Sequence, residues 1–182
     1  MRQELKPLDP PFSDEVAGLL ANYPQRDGYL LSLFRTFANS PRFLGRAVPN
    51  LLDPGSPLAM REREIVILRI TANLGCEYEW GVHVTAFGAH VGLNEDQIAA
   101  TRTGGPDAAC WSDAEALLIR CVDALCKDGR IAGDTLAAFQ EAWSFDQQLE
   151  ILALAGTYHT VSFVANTANL APEPFGARFP AG

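Results

Sequence analysis

The 182-residue chain is 48% hydrophobic and 20% charged, the balance of an ordinary globular protein with one sizeable core, and residues 1–182 read as a single domain. A formal net charge of −8 with no Lys/Arg stripe argues against nucleic acid as a partner. No apolar run approaches the roughly 18 residues that span a bilayer, the opening MRQELKPLDPPFSDE lacks an apolar targeting core, and Cys76, Cys110, Cys121 and Cys126 form neither a C-x-x-C pair nor a disulfide scaffold, so no membrane and a reducing cytoplasm are expected.

Helix signals recur along the chain and strand signals do not. Ser13 caps a first short helix over DEVAGLLANY, and GYLLSLFRTFANSP predicts a second, ended near Pro41. A Pro/Gly-punctuated stretch around FLGRAVPNLL follows. Ser56-Pro57 reads as the N-cap and first residue of a third main helix, LAMREREIVILRITANLG, stopped by Gly75. The fourth, CEYEWGVHVTAFGAHVG, starts almost at once and ends at Gly92, so the third and fourth are expected to lie antiparallel.

Asn94-x-x-Gln97, Ser112-x-x-Glu115 and Ser144-x-x-Gln147 each match a capping box ahead of an apolar helical pattern. Another helix, DTLAAFQEAW, precedes the last of them. The expected architecture is therefore an all-α bundle of about seven or eight helices. The tail APEPFGARFPAG cannot continue a helix, because its prolines fix φ and lack a donor. It is expected to pack along the surface or across a neighbouring subunit.

Chemistry concentrates on the third and fourth helices. Cys76, Glu79 and His83 sit at i, i+3 and i+7, one helical face, and Glu64 reaches the same place from the antiparallel neighbour. An imidazole near neutrality can hold and deliver a proton, so His83 is the expected general acid/base, with one glutamate orienting its ring and the other relaying a proton or polarising substrate. Tyr78, Trp80 and Phe87 are expected to contact substrate. His90, His159, Trp111 and Trp143 read as structural residues, and Arg61 to Arg63 as a solvated or subunit-contact face. No metal site is expected.

The run L-x-x-R-x-R-E-x-x-I-L, then C-x-Y-E-W-x-x-H seven residues on, here Leu58 to His83, resembles the carboxymuconolactone decarboxylase family of the alkylhydroperoxidase D-like superfamily. The likeness extends from FRTFANSP to the Gly156-x-Tyr158-His159 stretch and the RFP ending. It implies an alkylhydroperoxidase D-like helical fold, a homo-oligomer with pockets near subunit contacts, and no cofactor. In the peroxidase branch the pattern is Glu, C-x-x-C and His; Glu64, Cys76 and His83 match, while Glu79 stands where the second cysteine would be.

Without a resolving thiol on this helix, peroxide chemistry at Cys76 lacks its partner, and proton transfer becomes the leading expectation. The resemblance implies loss of CO2 from a small carboxylated lactone, or a related lyase or isomerase reaction of an enolisable compound, through His83, Glu64 and Glu79. Two alternatives stay open: a thiol-dependent peroxidase using Cys76, and a non-catalytic oligomeric protein that binds a small molecule.

Overall fold

A computed structural model of the chain describes residues 4–46 and 53–181. Nine α-helices occur among the described residues: α1 (Asp14–Leu20), α2 (Ser32–Phe37), α3 (Pro41–Arg46), α4 (Met60–Asn73), α5 (Glu77–His83), α6 (Glu95–Arg102), α7 (Asp113–Asp128), α8 (Gly133–Ala142) and α9 (Phe145–Thr167). This is the all-α bundle expected, with one or two more helices. The strand-free reading fails at one place: Gln25–Arg26 and Tyr29–Leu30 pair as a small antiparallel hairpin, β1 and β2, where the second helix was expected to begin. Asp27 and Gly28, both at positive φ, make the turn there.

Helix α4 is the hub, packed by α5, α6, α7 and α9. Ile65, Val66, Ile67, Leu68 and Ile70 are wholly buried, which requires neighbours on every side. Each such side chain stabilises the fold by about 1.5–3 kcal/mol. Several polar residues of α4 pair within the chain. Arg69 grips Asp123 of α7 through two hydrogen bonds of 2.6 and 2.9 Å, Arg61 pairs with Glu115 at 2.7 Å, and Glu62 accepts the Trp143 indole N–H. In the Arg61–Arg63 run Arg63 is buried and Arg61 and Glu62 are half-buried against α7 and Trp143, so the run is not fully solvated.

The capping boxes at Asn94, Ser112 and Ser144 all form, as does the Ser13 cap. Ser56-Pro57 does not open α4, which starts three residues past Pro57; the Glu62 carboxylate instead accepts the Ala59 N–H. The apolar piece around FLGRAVPNLL forms α3 as far as Arg46, and its remainder lies outside the described residues.

The reversal between α4 and α5 sets up everything that follows. Gly75, at φ 63°, donates to the Ala72 carbonyl, and the Cys76 N–H bonds to that of Thr71 at 2.8 Å. These two bonds close α4 with a left-handed residue and launch α5 back along it. The start of α4 therefore lies beside the end of α5. Past His83 the helix widens into a π-helical turn over Val84–Gly88, a distortion common near functional sites.

The segment after α9 returns across α5 as a strap. Ala177 N donates to the Gly81 carbonyl at 3.1 Å, and a methyl group on Gly81 would overlap the Ala177 carbonyl oxygen. Buried Glu173 ties strap, hairpin and α5 together, accepting from Tyr78 Oη at 2.5 Å, Tyr29 Oη at 2.7 Å and Ser32 N at 2.9 Å. The tail packs on its own chain.

Candidate active site

His83, at the last turn of α5, is 4% exposed and held from both ring nitrogens. Its Nδ1 lies 2.8 Å from Glu64 Oε2, and its Nε2 lies 3.0 Å from Tyr158 Oη and 3.4 Å from Glu79 Oε1. Glu64 comes from α4, Glu79 from one turn earlier on α5 and Tyr158 from α9. The sequence left the division of labour between the two glutamates open. Geometry assigns Glu64 to the back of the ring and Glu79 to its front.

A cavity of about 590 Å³ opens at that front. Glu79, His83, Phe87 and Tyr158 line one wall, Tyr23, Phe34, Phe37 and Leu33 face them from the N-terminal third of the chain, and Arg26 and Phe175 border it from the hairpin and the strap. The Arg26 guanidinium lies 4.8 Å from the centre of the Phe175 ring. Glu64 does not line the cavity. A second hollow, of about 640 Å³ beside Ala124, Asp128 and Arg130, is an open depression faced by no buried titratable group.

The electrostatics follow from this burial. Desolvation alone would lower the His83 pKa, but the Glu64 charge and hydrogen bond, reinforced by Glu79, outweigh it and push the group up to about 10. At neutral pH the ring carries both protons. This differs from the near-neutral imidazole expected from the sequence. The Tyr158 hydroxyl is driven far above the ordinary tyrosine range by burial and by the Glu79 and Glu64 charges, so it stays protonated. Glu79 Oε2 is fully enclosed and has no hydrogen-bond partner among the described residues.

Cys76 lies elsewhere. It is the residue before α5, wholly buried, and does not line the cavity. Burial pushes its thiol up to about 11, partly offset by the Glu79 backbone N–H and Ser162, with the Glu79 charge adding to the rise. All four cysteines are free. Tyr78 and Trp80, expected to contact substrate, do not line the cavity: Tyr78 is tied to Glu173 and to the Leu33 N–H, and Trp80 bonds Thr101 Oγ1 at 2.9 Å and packs on Phe179. Phe87 does border it, its ring 5.3 Å from that of His83.

Tyr158 was not singled out as a site residue from the sequence. It lies 75 positions from His83, so no local spacing links them; only its place in the Gly156-x-Tyr158-His159 stretch marked it. Its neighbour His159 is a helix residue whose Nδ1 faces the Ala155 carbonyl at 3.1 Å. No group of three or more His, Cys, Asp or Glu arranged to hold a metal ion occurs among the described residues, and no helix there is long and apolar enough to cross a membrane.

Residues 47–123 match the model of the carboxymuconolactone decarboxylase family. Over that stretch the chain is similar to this family. Among solved structures it is similar to the debrominase Bmp8 in its apo form, at 14% identity and a TM-score of 0.75, over 94% of this chain and 92% of that one. It is also similar to an Agrobacterium tumefaciens protein of unknown function, ATU0492, suggested to be the antioxidant defence protein AhpD. That match has 21% identity and a TM-score of 0.60, over 65% of this chain and 81% of the other. At these identities the likeness establishes the AhpD-like helical fold. No curated protein matches the chain in sequence.

Proposed function

We propose that the protein is a cofactor-independent lyase or isomerase that moves a proton on a small enolisable compound, with a carboxylated lactone as the substrate class suggested by the family that residues 47–123 resemble. The observation that carries this reading is the buried Glu64–His83–Glu79 array, whose one unpaired carboxylate oxygen belongs to a residue facing an apolar, aromatic-lined cavity. An enclosed acceptor without a partner is costly unless a ligand supplies the donor. Glu79 Oε2 is thus placed to take a proton from a bound molecule.

In an isomerisation Glu79 removes a proton from the carbon beside a carbonyl and returns it further along the conjugated system. In a decarboxylation the same enolate forms as CO2 leaves, and the carboxylic acid form of Glu79, recharged from solvent, protonates the carbon. Protonated His83, fixed by Glu64, supplies positive charge beside the developing enolate, which a water-excluded site makes more effective. The buried thiol takes no part. The reading includes self-association in the cytoplasm: Phe145, Leu149, Leu152 and Phe163 project from one face of α9 with exposures of 84, 66, 40 and 58%, an apolar stripe that a second copy would cover.

The direct test is Glu79→Gln, which keeps shape and removes the base. Turnover of a lactone substrate should fall by roughly 10²–10⁴-fold with the fold intact. Unchanged turnover would eliminate the reading.

A further inference from the structure

Resting on the proton-transfer reading, we infer that Tyr158 is a catalytic residue, the hydrogen-bond donor that holds the substrate's carbonyl oxygen as it becomes an enolate. The argument is an inventory of donors at the head of the cavity. A doubly protonated His83 has two N–H groups. One is directed to Glu64 Oε2 at 2.8 Å, and the other faces Tyr158 Oη at 3.0 Å and Glu79 Oε1 at 3.4 Å. Tyr158 Oη therefore accepts, and its own proton is left to point away from the ring.

Among the described residues Tyr158 Oη hydrogen-bonds only to His83, while Tyr158 itself borders the cavity. The hydroxyl and Glu79 flank the same His83 nitrogen, so one donor and one acceptor stand side by side. This pair complements a carbonyl and the adjacent C–H bond. Glu79 takes the proton from carbon, the C–H electron pair moves into the enolate, and the enolate oxygen accepts a hydrogen bond from Tyr158, which keeps its proton. Reprotonation of the far carbon by Glu79 closes the cycle with nothing gained or lost. The His83 charge behind Oη makes the hydroxyl a stronger donor.

The preferred substrate class is then a conjugated or ring carbonyl compound with an acidic neighbouring C–H, small enough to lie among Phe34, Phe37 and Phe87. α-Angelica lactone, a β,γ-unsaturated lactone, is a suitable probe, because its isomerisation in D2O reads both proton removal and deuterium return by NMR. The full-length wild-type protein should isomerise it. Tyr158→Phe should lower kcat by about 10²–10³-fold while KM moves by no more than a few-fold, the size expected for losing one oxyanion donor.

No isomerisation by the wild type would overturn the proton-transfer reading on which the inference rests. Wild-type activity retained in Tyr158→Phe would overturn the role of Tyr158 alone. Ring-fluorinated tyrosine at position 158, which preserves shape and strengthens the donor, guards against a folding artefact. It should raise kcat several-fold, and an unchanged kcat would count against the inference.

Discussion

The two ends of α5 carry chemically capable residues only a few positions apart, yet the fold treats them oppositely. At the entry, Cys76 is sealed among core residues, its thiol pushed up to about 11 and so uncharged at neutral pH. Further along, Glu79 and, at the exit, His83 are almost as buried but border a cavity of about 590 Å³. Sharing a helical face does not mean sharing a cavity; what packs against each turn decides. Ser162 of α9 lies beside the thiol, whereas one turn away Tyr158 of the same helix borders the open space.

The sharpest way to break the comparison is to change each end separately. Glu79→Gln should cost roughly 10²–10⁴-fold in turnover, while Cys76→Ala should leave turnover within about two-fold, because nothing at the thiol touches the reacting atoms. Peroxide-dependent turnover that needs Cys76 would reverse the assignment.

His83→Ala is expected to be the most damaging to the fold. It strands the Glu64 carboxylate, 1% exposed, and should destabilise the protein by about 3–5 kcal/mol, read by chemical denaturation. A loss under about 1 kcal/mol would show that Glu64 is otherwise satisfied. Cys76→Ser should cost about 1–3 kcal/mol without loss of turnover, since a hydroxyl replaces a soft thiol in an apolar enclosure.

A pH dependence distinguishes the ends without mutation. The folded chain holds the His83 proton more tightly than the unfolded chain, so its stabilising contribution is complete below about pH 6.5 and is lost as pH rises through about 10. Glu64 from α4, Glu79 from α5 and Tyr158 from α9 are the titratable groups that face this ring. Denaturation midpoints should fall across that window in the wild type, and the part due to His83 should vanish in His83→Gln. An equal slope in both would place the titration elsewhere.

The smallest expected effect tests the wall of the cavity. Gly81→Ala pushes against the Ala177 carbonyl and should cost about 1–3 kcal/mol, weakening the strap that carries Phe175. Substrate affinity should suffer more than kcat.

Much of this was legible in the sequence because it is local. Caps at Asn94, Ser112 and Ser144, the Gly75 stop and the i, i+4 relation of Glu79 to His83 depend on residues a turn apart. The antiparallel turn that brings Glu64 to His83 was readable from one glycine between two apolar helices. Tyr158 was not, because its contact spans 75 positions and depends on how α9 crosses α5. That Tyr78 and Trp80 lie off the cavity was hidden for the same reason: helical spacing gives direction around the axis, but the strap and α6, which claim those directions, lie far along the chain. The hairpin was missed because two-residue strands carry no alternating pattern long enough to read.

The central claim, that proton chemistry resides at the His83 end of α5 and not at Cys76, is most directly tested by deuterium incorporation into α-angelica lactone. Wild type, Cys76→Ala and Glu79→Gln are compared side by side in D2O. The account predicts equal rates for the first two and a rate at least about 10²-fold lower for the third. Incorporation lost in Cys76→Ala and kept in Glu79→Gln would contradict it.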